Sequence, residues 1–277
     1  MHEVAADGSD AGVSGAIIEV ENLDAWYGNR QILRNVSVSI AEGEIFVIMG
    51  GSGSGKSTLL RYMLALERPR AGRVRVLGKD LSAVSRQEMY ELRKRMGVAF
   101  QSGALFSSLS VGENIMLPLR EHTDLEESTM KVMARLKLEV VELAGFEHLM
   151  PAELSGGMLK RAALARAVVM DPKLLFCDEP SAGLDPVVAA ALDELIIKLR
   201  DALGMTVVIV THELESAFKI ADRIAVLDKG EILVVGSVAE VRACADARVQ
   251  NLLNRRVEEE ELDPEAYLRR LTGSHET

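Results

Sequence analysis

The chain has 277 residues, of which 48% are hydrophobic and 27% are charged, proportions typical of a globular domain with a sizeable core. Its formal net charge of -10 argues against nonspecific nucleic-acid binding, so we expect no nucleic-acid partner. Two cysteines, Cys177 and Cys244, are too few for a disulfide framework and indicate free thiols in a reducing compartment. Because no apolar run reaches the ~18 residues that span a bilayer, we expect a soluble protein or one that reaches a membrane through a partner.

The two ends of the chain differ from the part between them. Residues 1–15 lack the charged and apolar regions of a signal peptide, and we expect a disordered tail there. Residues 238–277 form an expected C-terminal extension, in which the segments "ARVQNLLN" and "PEAYLRRL" flank the acidic run "EEEEL". That run is interpreted as a solvated linker. The main domain is therefore expected over residues 16–237.

The main domain begins with strand patterns and continues with an alternation of strands and helices. "AIIEVENLDAWYG" and "RNVSVSIAEGE" predict antiparallel strands, and "EIFVIMG" predicts a strand buried on both faces. Helical spacing follows in "KSTLLRYMLALE", over 124–149 and over 155–170. The later segments "KLLFCDEP" and "MTVVIVTHE" predict buried strands, a helix between them ends at Gly204, and a hairpin surrounds Lys229. This order predicts a parallel α/β sheet with a helical insertion over about residues 102–168.

A glycine-rich stretch, "GGSGSGKST", follows the first buried strand and precedes a helix. It matches G-x-x-x-x-G-K-[ST], in which backbone N–H groups surround a phosphate, the lysine reaches the β- and γ-phosphates and the hydroxyl binds Mg²⁺. A flexible Gly/Ser linker is the alternative, but it fits poorly between a buried strand and a helix. The residues predicted to bind ATP here are Gly50, Gly51, Ser52, Gly53, Ser54, Gly55, Lys56, Ser57 and Thr58.

A pair of carboxylates ends the buried strand "LLFCDEP". The carboxyl end of a parallel strand faces the ligand crevice of such a sheet. Asp178 is placed there to hold Mg²⁺, and Glu179 to orient or deprotonate the attacking water. A charge pair at a helix N-terminus is the alternative, but the preceding apolar strand and the upstream phosphate loop favour a catalytic pair.

Two further motifs indicate which class of nucleotide-binding protein the sequence encodes. "LSGGM" lies just before a helix, about twenty residues ahead of the carboxylates. Its serine and glycines could bind an anion at that helix N-terminus, or Ser155 could be an ordinary N-cap residue. His212 follows the strand "VVIVT", where it would face the same crevice and contact the γ-phosphate.

Together these residues resemble the nucleotide-binding subunit of an ABC transporter over about residues 17–236. The resemblance implies a P-loop NTPase fold, with a RecA-like parallel core, an antiparallel β subdomain and an inserted α-helical subdomain. It implies that Tyr27 stacks on adenine beside Trp26, although Tyr27 could instead be a turn residue before Gly28. "SAGLD" matches the family's D-loop, so Asp185 is expected near nucleotide. The implied catalytic set is Lys56, Gln101, Glu179 and His212, and the implied metal ligands are Ser57, Gln101 and Asp178.

The family geometry also implies a second copy of the chain. Ser155, Gly156 and Gly157 would contact the ATP bound by Lys56 of that copy, so an ATP-dependent head-to-tail homodimer would contain two composite sites. The chain has one cassette and no sustained heptads, unlike the ABC proteins of DNA repair and translation. Transport would therefore require a separate integral membrane permease.

Two segments indicate which kind of transporter. "FQSGALFSSLSVGENIMLPLREHT" and "LMPAELSGGMLKRAALARA" resemble the ATPases paired with MCE-domain lipid transporters, including the maintenance-of-lipid-asymmetry system of Gram-negative bacteria. This resemblance implies a phospholipid or another hydrophobic substrate, an MCE-domain partner, in some systems a small STAS-domain protein, and a place on the cytoplasmic face of the inner membrane. "SAGLD" departs from the "FVGQD" of many Gram-negative members. An ATPase of another ABC importer or exporter, and a non-transport ABC regulator, are the alternatives.

The segment after Gln101 is unusually apolar. Gln101 matches the family's Q-loop glutamine, whose side chain can reach Mg²⁺ or the attacking water. The run "GALFSSLSV" behind it is interpreted as the wall of a groove that receives a permease helix. The alternative is that Leu105, Phe106 and Leu109 pack inside the helical subdomain.

Overall fold

The computed structural model describes residues 15–254 of the chain, which contain ten β-strands and nine α-helices. The strands are β1 (Ala16–Tyr27), β2 (Arg30–Ala41), β3 (Ile45–Met49), β4 (Ala71–Val76), β5 (Lys79–Asp80), β6 (Met96–Ala99), β7 (Leu174–Asp178), β8 (Thr206–Thr211), β9 (Arg223–Asp228) and β10 (Glu231–Gly236). The helices are α1 (Lys56–Met63), α2 (Arg86–Lys94), α3 (Val111–His122), α4 (Glu127–Val140), α5 (Gly156–Ala167), α6 (Pro186–Leu203), α7 (Leu214–Ile220), α8 (Val238–Ala243) and α9 (Ala247–Leu253). No helix in this part of the chain is long and apolar enough to cross a membrane.

The strands form two sheets that confirm the α/β fold predicted from the sequence. The smaller sheet has the order β2-β1-β4-β5, and its strands are antiparallel. The larger sheet has the order β10-β9-β3-β8-β7-β6, in which β9, β3, β8, β7 and β6 are parallel and β10 pairs with β9 as the expected hairpin. The carboxyl ends of β3, β8, β7 and β6 therefore lie along one edge of the sheet.

The larger sheet is covered on both faces, which explains its continuous apolar strands. Every residue of β3 is buried. Ile45, Val47 and Met49 face a core shared with the helices α3 to α7, while Phe46 and Ile48 face a second core shared with the smaller sheet and α1. Strands buried in this way need apolar side chains at successive positions rather than at alternate ones.

Helix α3 was not predicted, because its sequence was interpreted only as an apolar segment. A capping box starts it: the Ser110 hydroxyl accepts the N–H of Glu113 at 3.2 Å, and the Glu113 carboxylate accepts the N–H of Ser110 at 2.8 Å. Pro118 lies within the helix without ending it. The spacing S-x-x-E was the available signal, and the same spacing at Ser85 and Glu88 begins α2, which was also missed.

The ends of the chain are described only in part. The tail over residues 1–14, the acidic run "EEEEL" and the segment "PEAYLRRL" lie outside the described residues. The segment "ARVQNLLN" forms α9, and Val241 of α8 and Val249 of α9 are buried in the larger core. Residues 238–254 therefore pack on the cassette of their own chain.

Asn114 of α3 organises the loop before that helix. It is fully buried, its Oδ1 accepts the N–H of Phe106 at 2.7 Å, and its Nδ2 donates to the carbonyls of Phe106 and Leu109 at 3.0 and 3.1 Å. One side chain thus supplies hydrogen bonds to backbone groups at Phe106 and Leu109.

We expect Asn114→Ala to lower the free energy of unfolding by about 3 kcal/mol, because buried backbone groups would lose their hydrogen bonds. Urea unfolding monitored by circular dichroism measures this loss. Ser108→Ala, at an exposed position of the same loop, is the control and should change stability by less than about 0.5 kcal/mol. Equal stability of the two variants would contradict the role given to Asn114.

Candidate active site

The phosphate loop connects β3 to α1 in a conformation that requires glycine at particular positions. A Cβ on Gly50 would lie 2.1 Å from the carbonyl oxygen of Leu227. Gly55 has a φ of +107°, and a Cβ there would lie 2.7 Å from the Cδ2 atom of Leu33. Gly55 precedes α1 without a side-chain cap, so the first N–H groups of that helix are directed into the loop. The arrangement suits an anion.

Lys56 folds back over this loop. Its ammonium group donates to the carbonyl oxygens of Gly50 at 2.7 Å and Gly51 at 2.8 Å. Burial lowers the pKa of Lys56, an effect that the carboxylates of Glu179 and Asp178 oppose. Because these neutral carbonyls hold the charge weakly compared with a phosphate, Lys56 is placed to exchange them for phosphate oxygens. The remaining predicted loop residues differ in exposure: Ser54 is buried, Gly51, Gly55 and Thr58 are half-buried, and Ser52, Gly53 and Ser57 are exposed.

The two predicted carboxylates lie at the end of β7, next to β8. Asp178 is half-buried and Glu179 is buried. Burial raises the pKa of Asp178, and the neighbouring Glu179 raises it further, while Lys56 and Lys160 oppose this shift. Cys177, just before them, has its pKa raised to about 12 by burial, so its thiol stays protonated.

The Glu179 side chain is held by the end of β8. Its Oε1 lies 2.7 Å from Nδ1 of His212, and its Oε2 accepts the hydroxyl of Thr211 at 3.1 Å and the N–H of His212 at 3.4 Å. Because an ionised carboxylate can only accept hydrogen bonds, the contact with an ionised Glu179 requires the His212 tautomer that carries a proton on Nδ1. The structure therefore brings two of the predicted catalytic residues into direct contact. Thr211, which the sequence interpretation left without a role, orients the same carboxylate.

Gln101 follows β6, on the far side of β7. Its side chain is exposed, and its backbone carbonyl accepts a hydrogen bond from the ammonium group of Lys160. The guanidinium of Arg166 donates to the carbonyls of Gly103 and Ala104 at 2.9 and 2.7 Å, which anchors the loop behind Gln101. Lys160 and Arg166 were both missed in the sequence. Lys160 precedes the buried Ala163, Leu164 and Ala167 at helical spacing, which was the signal that it faces inward.

Ser155, Gly156 and Gly157, which are predicted to contact the ATP of a second copy, lie at the N-terminus of α5. Ser155 is the N-cap residue and accepts the N–H of Met158 at 3.3 Å, as one alternative reading expected. Ser155 and Gly156 are exposed, and within residues 15–254 no hydrogen bond joins them to the phosphate loop. A Cβ on Gly157 would lie 2.7 Å from the Cγ1 atom of Val188, so α5 packs closely against α6 there.

Two predicted nucleotide contacts lie apart from this cluster. Asp185 is the N-cap residue of α6, where it accepts the N–H groups of Val187 and Val188, each at 3.1 Å. Tyr27 ends β1 in the smaller sheet and is 85% exposed, beside Trp26 at 40%. An exposed ring is free to stack on a planar base.

The sequence profile of the ABC transporter family matches residues 33–182, which is more than half of the chain. The chain belongs to the ABC transporter family. This cassette is 41% identical over 237 residues, 86% of the chain and 90% of the relative, to the "Intermembrane phospholipid transport system ATP-binding protein MlaF" of Haemophilus influenzae. It is 40% identical over 242 residues to the "Probable ribonucleotide transport ATP-binding protein mkl" of Mycobacterium tuberculosis strain H37Rv, covering 87% of this chain and 67% of that protein.

A solved structure supports the same fold. The cassette matches a dimeric ATP-binding cassette in a post-hydrolysis state bound to ADP and Pi, with a TM-score of 0.72 and 31% identity over 80% of this chain and 98% of that one. The chain is thus an ABC-type ATPase that binds ATP, as its motifs predicted. Cassettes of this family dimerise and work with membrane permeases.

We expect Thr211→Val to lower kcat for ATP hydrolysis about 10-fold with little change in KM, because the Glu179 carboxylate would lose one of the groups that orient it. Steady-state phosphate release measures both constants. Thr211→Ser keeps the hydroxyl and is the control, with kcat within about 3-fold of the wild-type value. A wild-type kcat in the valine variant would remove Thr211 from this role.

Proposed function

We propose that the chain is the ATP-hydrolysing subunit of a transporter that moves phospholipid, or another hydrophobic molecule, through a separate permease with an MCE-domain partner. The observation that carries this proposal is the 41% identity to the phospholipid-transport ATPase over 86% of the chain. We propose a small STAS-domain protein as a further partner of the chain, and we place the chain at the cytoplasmic face of the inner membrane. The family resemblance also implies a contact between the C-terminal extension, residues 238–277, and the neighbouring subunit; of this extension α8 and α9 pack on their own cassette.

In this proposal Glu179 orients and deprotonates the attacking water, and His212 holds its carboxylate. Proton abstraction requires a base fixed within hydrogen-bond reach of the water. The contacts of Glu179 with His212 and Thr211 supply that fixed orientation. Lys56 and the N–H groups of the phosphate loop bind the β- and γ-phosphates, and Tyr27 stacks on adenine.

We further propose that Mg²⁺ binds together with ATP. Within residues 15–254 no group of three or more His, Cys, Asp or Glu side chains could hold a metal ion. The candidate ligands are the hydroxyl of Ser57, the amide oxygen of Gln101 and the carboxylate of Asp178, all oxygen donors that suit Mg²⁺. Since Mg²⁺ is usually bound by one or two carboxylates plus substrate phosphates, ATP would complete the site. When bound, the ion would neutralise charge on the phosphates.

The second copy of the chain would complete each site with Ser155, Gly156 and Gly157. Ser155 and Gly156 are exposed at the N-terminus of α5 and Gly157 is half-buried, which leaves this N-terminus available to a partner, and a related cassette was solved as a dimer. Asp185 lies at the start of the adjacent helix α6, at the end of the segment "SAGLD". This segment would therefore lie near the same interface.

We expect Glu179→Gln to bind ATP and form a stable dimer while its kcat falls by at least about 10²-fold, because the amide cannot accept the water's proton. Light scattering with and without ATP measures the dimer, and phosphate release measures turnover. Glu215→Gln, at an exposed position of α7, is the control and should hydrolyse normally. Near-normal turnover of Glu179→Gln would refute the catalytic role of Glu179.

A groove beside the Gln101 loop fits the proposed permease. It has a volume of 460 Å³, and its apolar wall includes Phe100, Phe106, Leu117 and Pro118. Phe106 is 54% exposed, whereas Leu105 packs against the larger core. Within the apolar run, Leu105 therefore belongs to the core, whereas Phe106 is available to an amphipathic helix.

A second candidate function is transport of a polar solute, which the name of the mycobacterial relative favours. The ATP chemistry would be the same, and the solute-binding partner would differ. Identification of the partner proteins therefore separates the two.

We expect the chain, purified from detergent-solubilised membranes of its source, to bring a permease, an MCE-domain protein and phospholipid with it. Mass spectrometry identifies all three. Phe106→Asp should lose the permease because a carboxylate would have to be buried against an apolar helix. Val132→Asp, at an exposed apolar position of α4 outside the groove, should keep it. Recovery of a polar-solute-binding protein in place of the MCE-domain protein would overturn the lipid assignment.

A further inference from the structure

Lys160 is a buried lysine with two partners in different loops of the site. It belongs to α5, five residues after Ser155, and only 8% of its surface is exposed. Its ammonium group donates to the backbone carbonyl of Gln101 and, at 3.0 Å, to the backbone carbonyl of Glu179. Gln101 follows β6 and Glu179 follows β7, so one side chain spans the gap between two adjacent strand ends.

The buried ammonium group of Lys160 indicates a specific structural role for its hydrogen bonds. An ammonium group is costly to bury unless it is paired or fully hydrogen-bonded. Burial lowers the pKa of Lys160, and the carboxylates of Glu179 and Asp178 partly offset that shift. Arg161, the next residue, instead contacts the carbonyl of Val141 and the carboxylate of Glu142 within the helical insertion. Only Lys160 of this pair is directed at the site.

The backbone of Glu179 needs support of this kind. Glu179 has a φ of +48°, in the left-handed region that non-glycine residues rarely adopt. Its N–H donates to the carbonyl of Val210 at 2.8 Å, and its own carbonyl accepts from Lys160. The strained residue is therefore held on both sides, by β8 through one hydrogen bond and by α5 through the other. Such conformations persist only where the surroundings determine them.

We propose that Lys160 is a positioning residue for ATP hydrolysis, which fixes the backbone of Glu179 to that of Gln101 and so aims the Glu179 carboxylate. It acts through Glu179 and need not touch the nucleotide. The inference deepens the proposed function and rests on it for the role of Glu179.

The position of Lys160 on α5 has a consequence for the dimer. The N-terminus of the same helix carries Ser155, Gly156 and Gly157, which would bind the nucleotide held by the partner subunit. One rigid helix would then connect the γ-phosphate of one composite site with the Glu179 backbone of the other. A shift of α5 on closure of the dimer would change the geometry of both composite sites together.

The test compares neighbouring residues of α5 in the full-length chain. Lys160→Met keeps an unbranched side chain, one atom shorter than lysine, and removes its donors, and we expect kcat to fall about 10- to 10²-fold with KM for ATP within about 3-fold of wild type. Arg161→Met is the matched control, because it removes a neighbouring basic residue whose partners lie outside the site. Its kcat should stay within about 3-fold of the wild-type value. Thermal unfolding of each variant shows whether a loss of kcat accompanies a loss of stability.

Two further variants separate positioning from general structural support. Lys160→Arg keeps several donors and should restore kcat to within about 3-fold of wild type. In the Glu179→Gln background, Lys160→Met should lower turnover no further, because residues that act as a unit are not additive. If Lys160→Met does not fold, Lys160→Leu replaces it, which also removes the donors and the charge, and a reduced kcat is again expected.

The proposal is overturned by a wild-type kcat in Lys160→Met or its replacement, by an equal loss in Arg161→Met, or by an additive loss in the double variant. These results differ from failure of the proposed function. If Glu179→Gln hydrolyses ATP normally, the assignment of Glu179 is wrong whatever Lys160 does. If Glu179→Gln is inactive and Lys160→Met is normal, only the role of Lys160 is wrong.

Discussion

The parallel pairing of β3, β8, β7 and β6 is the constraint on which the rest of the structure depends. In this register Met49 lies opposite Thr211, Asp178 opposite Val210, and Ala99 opposite Cys177. The phosphate loop, His212, Glu179 and Gln101 each follow one of these strands, and Asp178 ends β7, so these groups meet at one edge of the sheet. The sheet is buried on both faces, which makes slippage of any strand costly.

Electrostatic balance at that edge comes from a few groups held close together. Asp178 and Glu179 are adjacent carboxylates in a partly buried environment, and the charges of Lys56 and Lys160 lower the pKa of Asp178 against the effect of burial. Both lysines donate to neutral backbone carbonyls rather than to the carboxylates. Each is thus oriented by the backbone while its charge still acts on the acidic pair. Charges that are fixed in advance need little rearrangement when phosphate arrives.

Much of this architecture could be predicted from the sequence, and the failures have physical causes. The strand "EIFVIMG", the hairpin at Lys229 and the closure of α6 by Gly204 follow from local patterns, and the structure confirms them. Helix α3 was missed because its apolar residues masked the capping box at Ser110. Lys160 was missed because a lysine is ordinarily solvated, although its helical spacing with Ala163 and Leu164 placed it on the buried face of α5.

The segment between Phe100 and Phe106 connects the groove to the chemistry. Both of these aromatic residues line the groove, and Gln101 lies between them. Arg166 holds the middle of the segment through the carbonyls of Gly103 and Ala104, while Asn114 holds its end at Phe106. An occupant that displaces the groove wall must therefore move a short segment whose Gln101 carbonyl is bound to Lys160. Since Lys160 also holds the Glu179 backbone, backbone hydrogen bonds connect the groove wall to the carboxylate that we propose as the catalytic base, independently of any motion of the Gln101 side chain.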